Sequence, residues 1–119
     1  MEVQVFGVKK NPDTRKALRF FAERRIKTHF VDFAEREPAL GELRRFAQRF
    51  GIEALVDRAS RTFADKGLRY GTLSEDRWLE KLAAEPLLLR MPLVRQVGQG
   101  HTGLTVGLAE EEWRQWTGQ

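Results

Sequence analysis

The chain has 119 residues, 41% of them hydrophobic and 32% charged, and a formal net charge of +4. That length suits one domain with a real core, and neither a membrane span nor a signal peptide is visible: no apolar run approaches ~20 residues and "MEVQVFG" lacks basic and apolar regions. Cysteine is absent, which excludes disulfides, thiolate nucleophiles and cysteine metal sites, and His29 and His101 are too far apart for a metal spacing.

The expectations are therefore a cytoplasmic chain with no metal and no cofactor. Its charge is unevenly spread. Residues 1–27 hold eight Lys/Arg against Glu2, Asp13 and Glu23, a local excess of +5, whereas residues 61–119 balance at eight against eight. A basic first quarter can meet phosphate or an acidic protein surface, and its plainer reading is a solvated helix face.

Residues 2–6 alternate as a strand, and Gly7 leads into the polar loop "VKKN". Asn11 is a good N-cap, Pro12 fits the first helical position and Asp13 complements the dipole. The helix is expected over 12–25, with Ala17, Leu18 and Phe21 facing the core and Arg15, Arg19 and Glu23 outward. "HFVDF" (29–33) reads as a second strand, so β-α-β order predicts a parallel, right-handed crossover. A second helix is expected from about Pro38 to Phe50, burying Leu43, Phe46, Ala47 and Phe50, with Gly51 stopping it in the αL conformation.

Residues 52–72 read as short helix and loop, broken at Gly67 and Gly71. Ser74 caps a further helix, Leu73 and Trp78 are spaced for a hydrophobic staple, and Pro86 ends that helix or starts a brief new turn. "PLVRQV" and "LTVGL" are strands of an antiparallel hairpin joined through "GQGHTG", and "AEEEWRQW" closes as a helix with an acidic first turn. The order β-α-β, helical insert, β-β-α is the thioredoxin arrangement, an α/β fold with a four-stranded mixed sheet. A single domain over 1–119 is expected, with the insert at about 38–90. In such a fold the N-terminus of the first helix faces the loop before the third strand, here "LLLRMP".

Four segments in order resemble the arsenate reductase-like (ArsC/Spx) family. "VFGVKKNPDTRKALRFFAERRIKTHFVDF" resembles its opening strand, Cys-containing loop and "RKA" helix. "GIEALVDRASRTF" resembles G-x-x-x-(L/I)-(L/I)-x-x-R-S, and "EPLLLRMPLV" resembles P-x-L-(L/I)-x-R-P-(I/L)-(I/V). "VGLAEEEWRQW" resembles the terminal G-(F/Y)-(D/N)-E-(D/E) helix. Counting back from Arg15, the resemblance puts the family's nucleophilic Cys at Asn11 and a CxxC partner at Thr14. The arginine before the third-strand proline falls at Met91, and the R-S arginine at Ala59. An amide cannot donate electrons or form a covalent arsenic or disulfide intermediate. Asn11, Thr14, Arg15, Met91 and Pro92 are thus expected to form a degenerate family site. The resemblance also implies a cis Met91–Pro92 bond, with Met91 beside Asn11.

Two classes of function follow. The first is a catalytically silent family member that acts by binding. By resemblance to Spx, its partner would be the C-terminal domain of the RNA polymerase α-subunit, docking on the middle segment around Gly51, Arg58 and Arg90. Lys9, Lys10 and Arg15 support a weak anion site at the first helix, opposed by Asp13 and by capping from within. The alternative is a glutathione-dependent or other thiol-independent enzyme on the arsenate reductase scaffold. Against it, Thr14 falls inside the first helical turn, and Ser60 and Tyr70 lie in the insert. Direct nucleic-acid binding and membrane association are not expected.

Overall fold

Glu2, Gln4 and Phe6 alternate with Val3, Val5 and Gly7. That period of two builds strand β1 (Glu2–Gly7) in the computed structural model, which describes residues 1–66 and 73–118. Then follow α1 (Pro12–Glu23), β2 (Lys27–Asp32), α2 (Leu40–Phe50), α3 (Ile52–Leu55), α4 (Arg61–Asp65) and α5 (Glu75–Ala84). A 3-10 turn (Pro86–Leu88), β3 (Leu93–Val97), β4 (Leu104–Val106) and α6 (Glu110–Trp116) complete the chain. Residue contacts divide it into two compact units, one of residues 1–35 with 91–119 and the other of residues 36–90.

The first unit is an α/β layer. Its sheet has the order β2-β1-β3-β4. β1 and β2 run parallel with Glu2 opposite Lys27, whereas β1–β3 and β3–β4 are antiparallel with Phe6 opposite Leu93 and Leu93 opposite Val106. One sheet face supplies Val3, Val5 and Val94 to a buried cluster with Ala17, Phe20 and Phe21 of α1 and Trp113 of α6. The Phe20–Phe21, Phe20–Trp113 and Phe21–Trp113 ring centroids lie 5.2, 5.5 and 5.2 Å apart. Such aromatic pairs add about 0.5–1.5 kcal/mol each beyond simple burial. The buried Trp113 satisfies its indole N–H by donating to Thr105 Oγ1 at 2.8 Å.

Helix α1 stops two residues before the sequence pattern predicts. Ile26 N–H donates to Phe21 O (2.9 Å) and Arg25 N–H to Ala22 O (3.0 Å), the paired bonds of a Schellman ending. Arg25 fills the left-handed position of that ending with φ 58°, where glycine is usual. Leu18, expected in the core, is only partly buried, and Phe20 takes the fully packed place.

The second unit is helical. Leu43, Phe46 and Ala47 of α2 are buried in it, as are Leu55 of α3, Phe63 of α4 and Trp78, Leu79 and Leu82 of α5. Ser60 Oγ accepts from Phe63 N–H (3.1 Å) and Ser74 Oγ from Arg77 N–H (3.2 Å), capping α4 and α5. Helix α2 begins at Leu40 rather than Pro38. Phe50, expected inward, ends in its last turn at 40% exposure. Gly51 has the expected positive φ of 84°, but its ψ of 150° places it in an extended region open essentially to glycine, not in αL. The expected breaks at Gly67 and Gly71, and Tyr70, lie outside the described residues.

Candidate functional site

The loop from β1 to α1 is held by its own side chains. A Cβ on Gly7 would stand 2.5 Å from Thr14 Oγ1, so glycine lets the first helical turn approach the strand end. Thr14 is fully buried there. Asn11 Oδ1 accepts from Thr14 N–H at 2.8 Å and from Thr14 Oγ1 at 3.2 Å. A helix start leaves four N–H positions open. Here Asn11 N–H donates to Val8 O, Pro12 has no N–H, and Thr14 N–H is capped. Of these first-turn positions that leaves the N–H of Asp13, whose carboxylate adds negative charge at the same helix end.

Arg15 points back along the loop rather than out from it. Its Nη1 donates to Lys9 O at 2.7 Å and to Lys10 O at 2.9 Å, so the guanidinium braces the two loop carbonyls. Lys9 Nζ lies 5.9 Å from the Phe30 ring centroid, and Lys10 is exposed. Nothing in residue spacing announces the Arg15 clamp, because it depends on the loop folding back over the helix. Pairing Leu93 with Phe6 in antiparallel register puts Pro92 and Met91 at the Gly7 end of the sheet. The Met91–Pro92 bond is cis, Met91 is 4% exposed, and Pro92 O accepts from Gly107 N–H at 2.8 Å.

The second group of candidate residues gathers on α3 in the helical unit. Gly51 ends α2 and starts α3, its carbonyl accepting from Ala54 N–H at 3.2 Å. Arg58 Nε donates to Glu53 Oε2 at 3.0 Å, and the guanidinium lies 5.3 Å from the Phe63 ring centroid. Arg90 N–H donates to Leu55 O at 2.8 Å, beside a β-bridge between Val56 and Leu89, and its side chain is exposed. One four-residue helix thus joins Gly51, Arg58 and Arg90. Ala59, where the resemblance puts an arginine, follows Arg58 and carries no charge.

The sequence pattern does not announce one ionic cluster, at the start of the sheet. Glu2 pairs with His29 Nε2 at 3.0 Å and with Lys27 Nζ at 3.5 Å, across the parallel β1–β2 register. The His29 hydrogen bond, aided by the Lys27 charge, holds the Glu2 carboxyl below the usual carboxylate range. Among the described residues no group of three His, Cys, Asp or Glu could hold a metal ion, and no helix is long and apolar enough to cross a membrane.

A model of the ArsC family matches residues 6–116. A protein of Haemophilus influenzae is 26% identical over 114 residues, covering 94% of this chain and 96% of its own length. Among solved structures, the YffB protein superposes with a TM-score of 0.83 at 21% identity, over 95% of this chain and 96% of that one. An ArsC family related protein from Bacteroides fragilis gives 0.80 at 19% identity, over 97% of each chain. An arsenate reductase from Vibrio cholerae gives 0.72 at 24% identity, over 87% of this chain and 90% of its own. These superpositions establish the fold as thioredoxin-like, a four-stranded mixed sheet with flanking helices.

Proposed function

The chain belongs to the ArsC family, and from that premise we propose a catalytically silent member that acts by binding instead of by reduction. One observation carries the reading. The position that the family resemblance gives to the nucleophile holds Asn11, and its amide oxygen is committed to the helix cap through Thr14. An amide offers neither a thiolate nor a leaving group for arsenic or disulfide exchange. No cysteine elsewhere in the 119 residues can take over. The arginine positions of the family pattern hold Met91 and Ala59, so a tetrahedral oxyanion would lack the cationic donors that stabilise developing charge.

The partner this reading favours is the C-terminal domain of the RNA polymerase α-subunit, through the resemblance to Spx. Gly51, Arg58 and Arg90, which α3 links, are the residues assigned to that contact. Arg58 is pre-positioned by Glu53 and Phe63, which lowers the side-chain ordering lost on association. Regulation by a thiol switch is outside its chemistry, since Asn11 and Thr14 occupy both CxxC positions. Calorimetry with the purified α-subunit domain tests the reading. Association should weaken with salt and disappear on combined charge reversal at Arg58 and Arg90. No association near physiological salt would sink the partner assignment, and arsenate turnover above a no-protein control would sink the silent one.

A further inference from the structure

Helices α1 and α6 of the α/β unit enclose an open groove of about 330 Å³. Its α1 wall is a single stripe, with Lys16, Arg19, Phe20, Glu23 and Arg24 at spacings of three, four, seven and eight residues. Its α6 wall carries Glu110 and Arg114, which pair with each other at 3.2 Å. The lining therefore holds four cations against two carboxylates, and one carboxylate is already neutralised within α6.

The floor is rigid. Phe20 is 6% exposed and is wedged against Phe21 and Trp113, so its ring cannot move without disturbing the core. The Arg24 Cζ lies over that ring, 3.6 Å from its centroid, and Nη1 donates to Phe20 O at 3.1 Å. A guanidinium held over a ring and hydrogen-bonded in this way keeps its position at little further entropic cost. Arg19 is exposed on the adjoining turn and makes no ion pair among the described residues. Lys16 reaches Asp13 only at 3.9 Å, with both side chains solvated, a pair that is easily exchanged.

We propose that this groove is a docking site for an acidic protein segment, whose carboxylates sit against Lys16, Arg19 and Arg24. Charge complementarity selects a peptide over nucleic acid. Glu23 and Glu110 line the walls, so a continuous phosphate chain laid along the groove meets repulsion at both. A peptide alternates carboxylates with neutral or basic groups and with backbone N–H donors, which the glutamates accept. The site lies in the α/β unit and uses none of the residues assigned to the polymerase contact, so either assignment can fail without the other.

Titration of the 15N-labelled protein with a short peptide in which glutamates alternate with neutral residues tests the proposal, with inorganic phosphate and a duplex DNA in parallel. The peptide should shift the amides of residues 16–24 and 110–114, and added salt should weaken it. Arg19→Glu should cost roughly tenfold or more in peptide affinity. Arg61→Glu makes the same charge change on α4, outside the groove, and should cost less than about threefold. Combined reversal of Arg58 and Arg90 should leave the peptide titration in place. Equal losses for Arg19→Glu and Arg61→Glu would reduce the effect to net charge and overturn the proposal. So would absence of peptide-induced shifts at low salt, or phosphate or DNA shifting the same amides as strongly as the peptide.

Discussion

Replacing Asn11 with alanine isolates what the side chain that caps α1 does here. The amide oxygen caps α1 by accepting Thr14 N–H, and loss of such a cap costs about 1 kcal/mol. The same oxygen accepts from the hydroxyl of Thr14, which is fully buried beside Gly7. Stranding that hydroxyl adds about 1 kcal/mol or more. The expected destabilisation is therefore about 2 kcal/mol, on the order of 10 °C in melting temperature for a small domain. Urea denaturation followed by far-UV circular dichroism measures it. Asn11→Ala with Thr14→Val should be less destabilised than the two single changes added together, by about 1 kcal/mol, because the valine leaves no stranded hydroxyl. Asn11→Asp keeps both acceptor roles and should lie within about 0.5 kcal/mol of the parent, its gain from the dipole set against Asp13. Asn11→Ala within about 0.5 kcal/mol of the parent would refute the capping account, since surface changes of no structural consequence fall in that range.

Arg25→Gly should stabilise the chain by roughly 0.5–1 kcal/mol in the same denaturation assay, because a non-glycine residue at φ 58° carries about 1–2 kcal/mol of strain, partly offset by the greater unfolded entropy of glycine. A loss of stability would mean that the Arg25 side chain contributes more than its backbone costs. Gly51→Ala should destabilise by about 1–3 kcal/mol although a Cβ there meets no atom within 4 Å, since only the backbone conformation is at issue; a neutral result would refute the assigned geometry. The Glu2 carboxyl should titrate by NMR below the ordinary carboxylate range, and His29→Ala should move its midpoint upward. Its folded-state pKa is depressed, so the stability it contributes is complete above the unfolded carboxylate pKa and is lost as pH falls through the folded value. An unmoved midpoint in His29→Ala would break the argument.

Local chemistry made much of this fold legible. Asn11, Pro12 and Asp13 announce a helix start because the first satisfies a donor, the second removes one and the third complements the dipole. Ser74 does the same for α5, and the period of two in β1 needs no tertiary context. Misreadings arise where long-range packing decides. Phe20 packs against Trp113 and Phe21 in the buried cluster, whereas Leu18 only borders it, a difference set by α6 and not by the spacing within α1. Phe50 follows the helical period of Phe46, yet the helix ends under it and leaves the ring exposed. Arg25 carries no glycine signal, so the end of α1 cannot be read from residue type. At the candidate site, spacing identifies Asn11 as a cap but says nothing of the Arg15 clamp on Lys9 O and Lys10 O, which depends on the fold of the loop. The joining of Gly51, Arg58 and Arg90 on α3 likewise needs the strand-like bridge from Val56 to Leu89.

We propose that the loop keeps the framework of a catalytic site without its chemistry, and an assay of arsenate reduction tests this directly. The purified chain is assayed with glutathione and glutaredoxin, and separately with thioredoxin, as electron donor, beside Asn11→Cys. The parent chain should be indistinguishable from the no-protein control. Asn11→Cys should acquire a thiol that titrates below the usual range at the helix N-terminus, yet reduce little arsenate with Met91 and Ala59 at the positions where the family resemblance puts arginines. Turnover by the parent chain above that control would contradict the account.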